Sequence, residues 1–121
     1  MVHVELDPAA NLLTLRFSDR VDVSQLERSE TRLREHLATL QPGFRMLTDL
    51  TGLDGMDGSC APLIQHTMDE CSRHGISLVV RVIPDPHKDI GLNIMSLFHY
   101  RHGVRIVTCE TLQDARRVLS A

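Results

Sequence analysis

The stretch from residue 44 to residue 75 constrains the fold most, because a strand pattern, a glycine-rich segment and a helix pattern follow one another there. Residues 44–50 alternate between two faces, as in a strand. One face carries Phe44, Met46, Thr48 and Leu50, and the other carries Arg45, Leu47 and Asp49. The next segment contains Gly52, Asp54, Gly55, Asp57 and Gly58. These residue types accept positive φ or hydrogen-bond to their own backbone, so we expect a loop, with a recognition site at the end of the strand.

A helix is predicted after this loop. Pro62 has no N–H group, so it is best tolerated in the first turn of a helix. We therefore expect Ser59 to be the N-cap residue, with Pro62 at the third helical position. The inward face of the helix then carries Leu63, Ile64, Thr67, Met68 and Cys71. Gly75 fits a glycine C-cap that is followed by an apolar residue, Ile76.

The chain before this stretch predicts a β-hairpin and a helix. Residues 2–6 and 13–17 alternate between apolar and polar side chains on either side of a turn at residues 7–11. Ser24 and Glu27 fit a capping box at the start of a helix. The apolar stripe of that helix consists of Leu26, Leu33, Leu37 and Leu40.

The chain after this stretch continues the alternation of strands and helices. Residues 77–83 are β-branched and apolar on both faces, which is typical of a central parallel strand. We expect a loop at residues 84–89, a helix from Ile90 to Arg101, a strand over residues 104–109 and a final helix capped by Thr111. The order ββαβαβαβα predicts a single α/β domain whose mixed sheet opens with an antiparallel hairpin and ends with three parallel strands.

Composition restricts the class of partner. A net charge of −3 and only four aromatic residues argue against nucleic acid as a partner. The apolar runs are too short to span a bilayer, and the first residues do not resemble a secretory signal. Cys60, Cys71 and Cys109 are odd in number and widely spaced, as in proteins with reduced thiols. We therefore expect a cytoplasmic protein without a cofactor.

Residues 49–61, DLTGLDGMDGSCA, resemble the strand–loop–helix signature of the STAS family, D-L-S-G-V-x-F-x-D-S-S-G-L. Asp49, Leu50, Gly52, Asp57 and Ser59 match this signature. The family comprises sulfate-transporter and anti-sigma-factor-antagonist domains. The resemblance therefore implies the STAS (SpoIIAA-like) fold and a bacterial, non-enzymatic regulatory module with a protein partner, such as an anti-sigma factor or a kinase.

This sequence departs from the family signature at the phosphorylation site. The serine that is phosphorylated in the family is replaced by Gly58, and the glycine after the second serine is replaced by Cys60. Ser59 is therefore either a displaced phosphorylation switch or only a helix cap. The chain also resembles a SpoIIAA-like branch that keeps the fold without the phosphoserine. The alternative function for this chain is therefore that of a SpoIIAA-like domain that binds a lipid or another small apolar ligand.

Other side chains permit alternative chemistry. Asp49, Asp54 and Asp57 are either magnesium ligands or turn residues, and we favour the turn. His66, Glu70 and His74 share a helical face, so they are either metal ligands or solvated neighbours of the core, and we favour the latter. His87, beside Asp85 and Asp89, suits acid–base chemistry or contact with a partner. Cys60 lies near a helix N-terminus, a position that can lower the pKa of a thiol, but no resolving partner is evident. The expected partner-binding or switch residues are Asp54, Asp57, Gly58, Ser59, Asp85 and His87.

The predicted helix from Ile90 to Arg101 is apolar nearly all the way round. A helix in a two-layer domain usually buries a single apolar stripe, so the remaining apolar side chains need another cover. These remaining side chains form an apolar patch that consists of Leu92, Met95, Phe98 and Tyr100. Either neighbouring elements cover it, or it binds a second copy or an apolar ligand, and we predict a homodimer.

Overall fold

The computed structural model describes residues 1–83 and 103–120, which form a five-stranded sheet in the order β1-β2-β3-β4-β5. The strands are β1 (Val2–Asp7), β2 (Leu12–Val21), β3 (Arg45–Met56), β4 (Leu78–Val82) and β5 (Arg105–Cys109). The helices are α1 (Val23–Thr39), α2 (Ala61–Arg73) and α3 (Leu112–Ser120). The first two strands pair antiparallel and every later pair is parallel, which confirms the predicted mixed sheet.

Several predictions fall on residues outside the described ranges. They concern the loop with Asp85 and His87 and the helix from Ile90 to Arg101, together with its apolar patch. The predicted homodimer depends on that patch, and it stays a prediction. In the described part of the chain, no helix is long and apolar enough to cross a bilayer.

The sheet carries an apolar core on each face. The first core lies under α1 and α2, and its residues include Leu15, Phe17, Leu26, Leu33, Leu37, Phe44, Met46, Leu50, Ile64, Met68 and Val79. The second core lies under α3 and consists of Leu47, Val80, Val82, Cys109 and Ala115. Met46 and Leu47 are neighbours in β3 but belong to different cores, as the alternating pattern predicts.

The N-cap of helix α1 lies two residues earlier than predicted. Asp22 is the N-cap residue, and its side chain accepts a hydrogen bond from the Gln25 backbone N–H at 2.9 Å. The Gln25 side-chain oxygen accepts from the Asp22 N–H at 3.2 Å, which completes a capping box. The predicted Ser24 and Glu27 pair is therefore wrong, because β2 stays paired with β3 until Val21 and Asp22 follows it directly.

The predicted loop after residue 50 is largely strand. Strand β3 continues to Met56, and parallel pairing with β2 reaches Val21 across two irregularities in register. A Cβ atom on Gly52 would lie 3.3 Å from the Ser18 Cβ, so this glycine permits close approach of the two strands. The loop glycines do not adopt positive φ. Gly75 does, at +87°, and confirms the predicted C-cap of α2.

Candidate functional site

The candidate site is the edge segment, residues 54–59, where β3 leaves the sheet and the chain turns into α2. It contains the described residues of the predicted partner-binding set. Asp54, Gly58 and Ser59 are exposed, and Asp57 is half-buried. Since β2 and β3 both end here, the segment lies at the carboxyl edge of two parallel strands, where α/β proteins commonly place their binding sites.

Asp57 anchors the edge segment to the end of β2. Its carboxylate forms an ion pair with the Arg20 guanidinium, and its backbone N–H lies 3.4 Å from the Val21 carbonyl oxygen. Its own carbonyl accepts a hydrogen bond from the Cys60 N–H at 2.9 Å. The Arg20 partner was not among the predicted site residues. Together these contacts fix where the exposed residues on either side of Asp57 stand.

Ser59 is not the N-cap of α2, contrary to prediction. A short 3-10 helix, Gly58–Cys60, precedes α2, so the N-cap residue is Cys60. Neither Asp57 nor Cys60 makes a side-chain capping hydrogen bond, and Pro62 occupies the second helical position instead of the third. Ser59 therefore presents an exposed side chain just before the first turn of α2.

The thiol of Cys60 lies beneath the edge segment and is fully buried. Burial is the main cause that raises its pKa, and the negative charge of Asp57 raises it further. The pKa is therefore not lowered by the position near a helix N-terminus, because desolvation outweighs the positive charge of Arg20. Burial also raises the pKa of Cys109, and it raises that of Cys71 to about 12. All three cysteines are free thiols.

Asp49 lies in β3 before the edge segment and is 3% exposed. Its Oδ1 accepts hydrogen bonds from the Thr51 N–H at 3.0 Å and from the Thr51 hydroxyl at 2.7 Å. Its Oδ2 lies 3.4 Å from the Arg16 Nε. Asp49 and Asp57 are thus each engaged by an arginine. Within the described ranges, no group of three or more His, Cys, Asp or Glu side chains is arranged to hold a metal ion.

A comparison with protein-family models identifies the chain from its sequence. The model of the STAS domain matches residues 3–115. This chain belongs to the STAS domain family. The sequence matches no curated protein.

Solved structures show the same fold as this STAS domain. A DUF3478-family protein with a SpoIIAA-like fold from Shewanella loihica has a TM-score of 0.75 at 18% identity, over 98% of this chain and 92% of its own. The phosphorylated Bacillus cell-fate determinant SpoIIAA has a TM-score of 0.66 at 14% identity, over 98% and 99% of the two chains. An anti-sigma factor antagonist from Mycobacterium paratuberculosis has a TM-score of 0.63 at 15% identity, over 100% and 94%. These likenesses confirm the predicted SpoIIAA-like fold.

His66, Glu70 and His74, which share a helical face in the sequence, lie on or next to α2. The His66 Nε2 lies 3.0 Å from Glu30 Oε1 on α1 and 3.7 Å from Glu70 Oε1 on α2. The His74 Nδ1 lies 2.9 Å from the backbone oxygen of Glu70. Burial tends to raise the pKa of Glu70, but Arg73 and neighbouring cations outweigh it and lower the pKa below its ordinary value. His66 therefore links α1 to α2 through Glu30 and Glu70, whereas the His74 ring lies against the backbone of α2.

Proposed function

We propose that this STAS domain is a non-enzymatic regulatory module that acts in the cytoplasm and binds a protein partner through the edge segment. One observation carries the proposal. Asp54, Gly58 and Ser59 are exposed on a segment that the Arg20–Asp57 ion pair ties to the end of the sheet. A surface held in this way binds with a small loss of conformational entropy, because its backbone is already ordered.

The nature of the partner follows from the family by analogy. The solved relatives include anti-sigma factor antagonists, and SpoIIAA has been seen in phosphorylated and unphosphorylated forms. By register, the usual phosphorylated serine corresponds to Gly58 in this chain. A switch would therefore use Ser59, whose phosphate would lie near the positive N-terminal end of α2. The proposed partner is an anti-sigma factor or its kinase.

The test is to add charge at Ser59. A partner is first isolated from a lysate of the source organism, and its affinity for variants is then measured by titration calorimetry. Because Ser59→Asp adds negative charge to the contact surface, we expect affinity to fall by about tenfold or more. Ser59→Ala adds no charge, so affinity for the partner should stay nearly unchanged. Stability should also stay nearly unchanged, since Ser59 caps no helix.

Ser120→Asp is the matched control for charge. Ser120 is exposed on α3, next to Leu119, whose carbonyl oxygen accepts a hydrogen bond from Arg45 at the opposite end of β3. Ser120→Asp therefore adds the same negative charge as Ser59→Asp, but at a distance from the edge segment. If Ser59→Asp binds as tightly as wild type while substitutions elsewhere abolish binding, the edge segment is not the contact surface.

The alternative function, binding of a small apolar ligand, can be compared with the cavity under α1 and α2. This cavity has a volume of about 50 Å³, and its lining is apolar apart from Ser29, Thr48, Thr67 and Arg81. Ligand pockets usually measure roughly 300–1,000 Å³. This cavity is therefore too small for a usual ligand site. Among the described residues, the exposed edge segment is the better candidate for a binding site, and it favours a protein partner over a lipid. Lipid that co-purifies in stoichiometric amount, detected by native mass spectrometry, would favour the alternative.

A further inference from the structure

The two flanks of α1 have different neighbours. One flank carries Glu30 and Arg34, which lie at 3.0 Å and 3.2 Å from the His66 Nε2 on α2. Arg32 stands two residues before Arg34, about 200° away around the helix, because a helix has roughly 3.6 residues per turn. The flank with Arg32 therefore points away from α2. Since α1 packs over β1 and β2, that flank faces the outer edge of the sheet.

A groove lies between this outer flank and the start of β1. It encloses about 400 Å³ and is lined by Met1, Val2, Gln25, Arg28, Ser29 and Arg32. Arg28 and Arg32 are both exposed and lie one helical turn apart. Neither arginine forms an ion pair with another residue of the described ranges, and the lining contains no carboxylate. In a chain of net charge −3, this groove is locally basic.

The groove meets β1 at Val2, the first residue of that strand. β1 is the first strand of the sheet, and among the described strands it pairs only with β2. Val2, Val4 and Leu6 face the core under α1. Glu5 faces the other side of the sheet, where its carboxylate lies 3.2 Å from the Arg16 guanidinium. An added strand would therefore meet apolar side chains and two arginines on the α1 side.

We propose that the groove binds an extended acidic segment of another protein, which adds as a strand to the outer edge of β1. The backbone of the segment would hydrogen-bond to β1, as in other cases of strand addition. Its carboxylates would bind Arg28 and Arg32, because a planar guanidinium can donate two parallel hydrogen bonds to a carboxylate. The exposed side of β1 favours a peptide over a free anion, since a free anion cannot form the backbone hydrogen bonds of an added strand.

This second surface is independent of the edge segment. It uses β1 and α1, whereas the edge segment uses the turn between β3 and α2. Ser59→Asp should leave binding in the groove unchanged, and substitution of the two arginines should leave the edge segment unchanged. The failure of one proposal is therefore distinguishable from the failure of the other.

The experiment selects peptides of about ten random residues, displayed on phage, against the whole chain. We expect the selected sequences to be rich in Asp and Glu. A synthetic copy of the most frequent peptide should lose about tenfold in affinity or more for an Arg28→Gln, Arg32→Gln variant. It should also slow the exchange of the β1 amide hydrogens, which strand addition would protect. The control variant is Arg105→Gln, Arg116→Gln, which removes the same charge from exposed positions on β5 and α3.

Three outcomes of these measurements would overturn the proposal, and so would one outcome of a competition with phosphate. They are selected peptides that are not acidic, equal affinity for the two double variants, and binding without protection of the β1 amides. Inorganic phosphate is the competitor that tests for a simple anion site. If phosphate at equal charge concentration displaces the peptide fully, the groove recognises anions and not an added strand. Thermal melts of both variants confirm that each is folded, since the substituted side chains are exposed.

Discussion

The two halves of β3 differ although they belong to one continuous strand. The first half, Arg45–Leu50, lies in the middle of the sheet, where residues 45–49 pair with β4 and β2 lies on the other side. All of its residues after Arg45 are buried. The second half, residues 51–56, pairs only with β2 among the described strands, and none of its residues is fully buried.

Because of this difference, the first half of β3 stabilises the fold and the second half carries exposed residues that a partner can contact. Side chains of the first half fill both cores, so their burial supplies much of the hydrophobic stabilisation. The second half is held by backbone pairing on one side, by a close approach at Gly52 and by the Arg20–Asp57 ion pair. Its exposed residues can therefore change with little effect on the core, which is the property that a partner surface needs.

The largest expected effect comes from truncation in the first half. Met46 is 3% exposed, and Met46→Ala should lower the free energy of unfolding by about 2–5 kcal/mol, because it removes buried atoms and leaves a cavity. The measurement is equilibrium unfolding in urea. Leu53→Ala is the matched truncation in the second half, and it should cost clearly less because Leu53 is only half-buried. Equal losses from the two substitutions would contradict the proposed difference between the halves.

The first half could be predicted from the sequence because its pattern is local. Alternation over residues 44–50 assigns Met46 and Leu47 to opposite faces, and the structure confirms this. Gly75 could be predicted for the same reason, since glycine after a helix is a local signal. The parallel pairing of the last three strands could be predicted because the helices between them are long enough to act as crossovers.

The second half could not be predicted, because its conformation depends on a partner strand that is distant in the sequence. Glycine and aspartate indicate turns when only neighbouring residues are considered. Here Gly52 lies beside Ser18, and Arg20 reaches Asp57 across 37 residues. The position of the α1 cap has the same cause, since β2 remains in the sheet until Val21. The exposure of Ser59 follows from the 3-10 helix before α2, for which the sequence carried no distinct signal.

The glycines of the second half sharpen the comparison with a smaller effect. A Cβ atom on Gly52 would lie 3.3 Å from the Ser18 Cβ, whereas one on Gly58 would meet nothing within 4 Å. Gly52→Ala should therefore destabilise the fold by about 1 kcal/mol, because the two strands must separate slightly. Gly58→Ala should be neutral or stabilise by about 0.4–1 kcal/mol, since it restricts the unfolded chain. Urea unfolding measures both, and a larger loss at Gly58 would show that the edge segment is packed more tightly than described.

The smallest effect is expected for the ion pair that anchors the edge segment. The Arg20 and Asp57 side chains are 70% and 39% exposed, so water and salt screen their interaction. A double-mutant cycle with Arg20→Ala and Asp57→Ala should give a coupling energy of about 0.2–1 kcal/mol, and less in 1 M salt. In Arg20→Ala, the free energy of partner binding should change more than the free energy of unfolding, because the pair positions the edge segment without filling a core. A coupling well above this range that persists in high salt would mean that the pair supports the fold, and the two halves of β3 would then differ less than their burial indicates.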